Sequence, residues 1–159
     1  MRYLHLDITK ELVEKIINKK IKKFLNNPSI EDKFKNFISK IDIIPSINNR
    51  RKTYYGFAFI LPANTSTRRH YKLVSKKIRT FKFEKKKCFA VLEVCTKTIN
   101  SGPMSPLNEL KETIAHELAH IMEMKVNGDD NRKSENNYHG VIWQRFAKIF
   151  GCRHLYYNG

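Results

Sequence analysis

Residues 107–124 read LNELKETIAHELAHIMEM, and the fold turns on how this run is read. Leu110, Ile114, Leu118 and Ile121 step by four, four and three, which on a helix makes one apolar stripe. Thr113, His116, Glu117 and His120 make a second face turned well away from it. Ser105 and Pro106 supply an N-cap and first-turn pair, and Gly128 stands just past the last periodic residues. Helical residues four apart share a face, so His116 and His120 can present two imidazoles to one metal ion with Glu117 on the same side. A buried amphipathic helix carrying two histidines by chance is the plainer alternative. The helical context that a His-Glu-x-x-His pattern requires is present, and it argues against chance.

Zinc chemistry explains these residue types. A catalytic zinc site uses three protein ligands and keeps a fourth position for water, whose pKa falls to about 7, while a nearby carboxylate takes the water proton. His116 and His120 are the expected ligands and Glu117 the expected general base. The preferred third ligand is His139, which precedes a further helical pattern of Ile142, Trp143, Phe146, Ile149 and Phe150. The polar stretch 127–137 can loop back and set the two helices side by side. Glu135, Asp129 and Asp130 stay open as rival ligands within it.

His116-Glu117-Leu118-Ala119-His120, followed by Tyr138-His139-Gly140 and then Trp143 and Phe146, resembles the SprT-like (Spartan-type) metalloproteases. In that family a third histidine opens a short helix as a His-Gly pair followed by an aromatic residue. The likeness is strongest over residues 107–151, extends upstream to Arg50 as a basic strand region, and covers residues 1–49 only as generic helices. It implies a zinc-dependent peptidase acting on proteins attached to DNA. Two features depart from the family's pattern: the polar loop before His139 is long, and no cysteine-rich zinc ribbon follows in the sequence.

A length of 159 residues suits one domain with a real core, and 41% hydrophobic with 11% aromatic residues argues against disorder. There is no basic start leading into an apolar run, and no apolar run near the ~20 residues of a membrane span. A soluble intracellular monomer with no membrane partner is therefore expected, cytoplasmic or, in a host that has one, nuclear. Cys88, Cys95 and Cys152 are odd in number and lack a C-x-x-C pair, which fits reduced thiols.

Ahead of the metal helix, Leu12, Val13, Ile16, Ile17, Ile21, Phe24 and Leu25 predict an amphipathic helix over about residues 8–25. Asp7 or Thr9 caps it, and Lys15, Lys19, Lys22 and Lys23 lie largely opposite. Ser29 with Asp32 begins a second helix bearing Ile30, Phe34, Phe37, Ile38 and Ile41, and residues 45–49 read as a loop. Residues 54–61, 71–83 and 88–96 read as three or four strands of a small antiparallel sheet, with Cys88, Ala90, Leu92 and Val94 lining one face. The expected fold is α+β, a compact zincin-like single domain over 1–159. Its parts are an N-terminal helical portion (1–49), a basic strand region (50–104) and the zinc-binding helices (105–159).

The charge is unevenly placed. Residues 1–50 carry +5, residues 51–104 carry +11 and residues 105–159 are balanced, which accounts for the net +16. Arg50, Arg51, Lys52, Arg68, Arg69, Lys72, Lys76, Lys77, Lys85, Lys86 and Lys87 are candidates for neutralising DNA phosphates, on single or double strands. Tyr54, Tyr55, Tyr71 and Phe81 interleave with them as stacking groups. A lysine-rich bias that merely solubilises the chain is the alternative, but it should have reached the last third as well. A DNA-associated zinc peptidase is the leading expectation, and two others stay in view. One is a nucleic-acid-binding module whose zinc is structural, with Cys152 or His154 filling the fourth position. The other is a zinc peptidase without a nucleic-acid role. Tyr138, Tyr156, Tyr157 and His154 are candidate oxyanion donors.

Overall fold

Thr9 starts the first helix: its hydroxyl accepts the Leu12 amide at 3.1 Å, and α1 runs Lys10–Leu25. Val13, Ile16, Ile17 and Phe24 point inward while Lys15, Lys19, Lys22 and Lys23 are exposed, as the periodicity requires. The computed structural model describes residues 3–61, 89–126 and 139–153. The second helix, α2, spans Asp32–Lys40 and buries Phe34 and Ile38. Ser29 does not begin it. Its hydroxyl and its amide both bond the Asn27 side-chain oxygen, at 2.7 and 2.9 Å, in a turn that precedes the helix.

Three strands follow among the described residues: β1 (Asp42–Asn48), β2 (Gly56–Leu61) and β3 (Phe89–Cys95), in the order β1-β3-β2. The expected loop at 45–49 is thus largely strand. Pro45 fits there because β1 lies at an edge of the described sheet, where a missing N–H need not break a ladder. The expected antiparallel sheet is also corrected. β2 pairs antiparallel with β3, but β1 pairs parallel to it, from Asp42 opposite Phe89 to Asn48 opposite Cys95, so the sheet is mixed. Ala90, Leu92 and Val94 line one face of β3 as expected, but Val91 and Cys95 on the other face are equally buried. A strand covered on both faces reads as a continuous apolar run, not an alternating one. The strand expected over 71–83 lies outside the described residues.

After β3 the chain turns at once into a short helix, α3 (Thr96–Asn100), whose first residue is the last of the strand expected over 88–96. The long helix α4 (Pro106–Val126) follows, with the Ser105 carbonyl accepting the Glu109 amide at 2.9 Å. The C-terminal helix α5 (Val141–Phe150) closes the core with Trp143, Phe146 and Phe150. Phe24 of α1 stacks on Phe150 with centroids 4.8 Å apart, and Phe34 of α2 meets Phe146 edge-on at 5.3 Å. Gly151, at φ 88°, ends α5 in the left-handed conformation while the Cys152 amide bonds back to the Ala147 carbonyl at 2.8 Å. The observed class is α+β.

The centre of the arrangement is α4. Its stripe of Leu110, Ile114, Leu118 and Ile121 is fully buried, and most of the second face is too: Glu109, Thr113, Glu117, His120 and Glu123 are each no more than 5% exposed, while His116 is half-buried. Around Thr113 and Glu117 the polar face is enclosed by the start of β2, and at Glu109 by the loop holding Gly102 and Met104. A Cβ on Gly56 would stand 2.7 Å from Thr113 Cγ2, 2.8 Å from the Glu93 carbonyl oxygen and 3.2 Å from Glu117 Cγ. Gly56→Ala should therefore force β2 away from α4 and cost about 1–3 kcal/mol. Urea denaturation measures this.

Candidate metal centre

His116 and His120 stand one turn apart on α4, and His139 joins them from just ahead of α5. His139 adopts φ 63°, a left-handed conformation uncommon outside glycine, and its carbonyl accepts Gln144 Nε2 at 3.2 Å. The three Nε2 atoms form a nearly equilateral triangle: 3.1 Å from His116 to His120, 3.2 Å from His120 to His139 and 3.0 Å from His139 to His116. Trp143, fully buried, is the common backing. Its ring centroid lies 4.8, 5.6 and 4.6 Å from those of His116, His120 and His139, and its Nε1–H donates to the His116 carbonyl at 3.2 Å.

The spacing fits a metal ion. Zinc–nitrogen bonds of about 2.0–2.1 Å at tetrahedral angles place the nitrogens ~3.3 Å apart. Burial also favours in His116 and His139 the neutral form that ligands need. The pKa of His116 is pulled down to about 2, chiefly by burial and then by its two histidine neighbours, and that of His139 to about 4 by burial and by His120. Among the described residues, the ligand group comprises these three side chains and no fourth. Cys152 lies outside the group, its thiol directed to a Glu112 carboxylate oxygen at 3.3 Å. Glu135, Asp129, Asp130, His154 and the oxyanion candidates Tyr138, Tyr156 and Tyr157 lie outside the described residues.

Glu117 is 5% exposed. Burial pushes its pKa up to about 8. In the metal-free protein it therefore holds a proton that the unfolded chain releases near pH 4.5, and stability falls as pH rises between these values. His116 and His139 complete their folded-state titrations far below pH 7, so between pH 7 and 8 the falling part of the stability curve comes from Glu117. Urea titrations of metal-free protein should show a loss of up to about 1.4 kcal/mol per pH unit there, and Glu117→Gln should abolish it.

A cleft of about 450 Å³ opens onto His116, Glu117 and His139. Its walls include the segment Thr53 to Gly56, Pro103, Glu109, Glu112 and Cys152. Tyr54 and Tyr55, read from the sequence only as stacking groups, are thus cleft residues. Arg50, Arg51 and Lys52 are exposed in the connection leading into this wall, and the Arg51 guanidinium lies 5.2 Å from the centre of the Tyr54 ring. The positive charge is concentrated in residues 51–104 and the zinc-binding helices are balanced, yet this part of the basic segment adjoins the cleft. Arg68, Arg69, Lys72, Lys76, Lys77, Lys85, Lys86 and Lys87, with Tyr71 and Phe81, lie outside the described residues. Sequence reasoning missed Glu123, whose Oε1 is 3.1 Å from His120 Nδ1. Its signal was the spacing three residues beyond a ligand on the same helix.

No described helix is long and apolar enough to cross a membrane. No protein-family model, curated protein or solved structure matches the chain, so the case for a metal centre rests on the geometry of its own residues.

Proposed function

We propose that this protein is a zinc-dependent peptidase of the SprT-like kind, cleaving proteins bound or crosslinked to DNA. One observation carries the reading: the three histidine Nε2 atoms converge within 3.2 Å of one another where a cleft also meets the buried Glu117. Three imidazoles suit zinc among the common divalent ions, and the absence of a fourth ligand among the described residues favours catalysis over a structural role. Zinc bound there supplies Lewis-acid polarisation of a carbonyl and lowers the pKa of a water molecule to about 7. His116, His120 and His139 would hold the ion through their imidazole nitrogens. Glu117, whose ionisation a neighbouring dication favours, takes the proton of the attacking water and delivers it to the leaving amine nitrogen. The cleft walls seat the peptide, and the adjoining Arg50, Arg51 and Lys52 place DNA phosphates beside the point of cleavage.

Zinc-loaded protein incubated with a basic DNA-binding protein, alone and with single-stranded or duplex DNA, tests this reading. Cleavage that a chelator stops, zinc restores and DNA stimulates supports it. Cleavage indifferent to DNA would leave a peptidase with no nucleic-acid role, and zinc binding without cleavage would leave a structural site. DNA affinity should also fall with salt, with a log–log slope of about −0.9 per neutralised phosphate on duplex. Charge reversal at Arg50, Arg51 and Lys52 should reduce that slope by about one per residue, whereas Lys111→Glu on α4 should barely change it.

A further inference from the structure

Glu123 lies on α4 three residues beyond His120, and both side chains are almost sealed from solvent, at 3% and 2% exposure. Glu123 Oε1 stands 3.1 Å from His120 Nδ1, while His120 Nε2 is the atom turned toward His116 and His139. A carboxylate removed from water is costly unless a partner offsets the lost hydration, and a leucine or methionine would fill the same volume without that cost. Among the described residues, the hydrogen bond shown for Glu123 is the one to His120. A second acid on the same helix shows the contrast: Glu109, equally enclosed, bonds the Met104 amide and so ties down the loop before α4.

We infer that Glu123 is a positioning residue of the metal centre. It holds the proton of His120 on Nδ1 and thereby turns the Nε2 lone pair toward the other two imidazoles. Its carboxyl also lies against the ligand group with almost no water between them. An acid accepting the outer N–H of a ligating imidazole fixes the ring's orientation and raises its basicity, and losing such a partner lowers metal affinity about 10–100-fold. The inference rests on the three histidines forming a metal site and does not require that the protein be a peptidase.

Two substitutions separate orientation from charge. Glu123→Gln keeps an oxygen that accepts the Nδ1–H and removes the charge, whereas Glu123→Met keeps the volume and removes both. Zinc affinity is measured by competition with a chelator and followed through Trp143, the chain's single tryptophan, which touches all three rings. The His120 tautomer is read from nitrogen-15 NMR of the imidazoles, and the melting temperature of the metal-free proteins serves as the control. The expected result is a graded loss, about tenfold for Gln and up to 100-fold for Met. The Met variant should also show the Nδ1–H of His120 no longer fixed, with metal-free melting no lower than wild type. Wild-type zinc affinity and tautomer in the Met variant would overturn the inference while leaving the metal centre standing. A loss of affinity accompanied by an equal fall in metal-free stability would assign Glu123 a purely structural role. Failure of the wild type to bind zinc would remove both the inference and the function proposed above.

Discussion

Glu117→Gln should retain its zinc and lose about 10²–10⁴-fold in peptide cleavage, because it removes the proton acceptor and keeps the shape. Glu117 is buried and lines the cleft together with His116, so a neutral amide of equal size fits without repacking. Burial also penalises the charged form, as the upward shift of its pKa to about 8 shows, so the variant's metal-free fold should be no less stable than wild type near pH 8. Zinc content, turnover and urea stability measured on one preparation therefore separate base chemistry from damage to the site. Near-normal cleavage by the variant would remove Glu117 from the mechanism. Lost zinc would show instead that the carboxyl helps to hold the ion.

The second large effect is on the metal itself. Zinc binding to structural sites releases about 10–16 kcal/mol, so one ligand in four accounts for roughly 3 kcal/mol, or about 10²–10³ in affinity. His116→Ala, His120→Ala and His139→Asn should each lose at least that much. Asparagine is the better test at position 139, because the backbone there is left-handed and asparagine tolerates that conformation where alanine strains it. The three variants should also differ in the metal-free state. His120→Ala strands the buried Glu123 carboxylate and should lower the melting temperature most, whereas His116 and His139 leave no comparable charge behind. If His139→Asn kept zinc at wild-type affinity, the third ligand would have to come from Asp129, Asp130 or Glu135, and the resemblance to SprT-like proteases would lose its strongest residue.

The sequence by itself determined the features that depend on neighbours a few residues apart. The steps of three and four along 107–124 required a helix, and the same rise per residue put His116 and His120 on one side of it before any fold was known. The Thr9 cap and the Trp143, Phe146 and Phe150 stripe are equally local, and both stand where the pattern placed them. The left-handed turn that brings His139 to within 3.2 Å of residues on another helix is different, as is the parallel pairing of β1 with β3 that makes a strand of residues read as a loop. So is the laying of Gly56 across Thr113 and Glu117, which encloses a face that periodicity alone would leave to solvent. Tertiary structure decided these because each joins segments far apart in the chain. Closing such loops costs an entropy that rises only slowly with length, so many alternative pairings stay close in energy until the whole core is packed. For Glu123, the sequence shows an acid on a helix. Only burial against His120 turns it into part of a metal centre, because a carboxylate's effect on an imidazole depends on how little water lies between them.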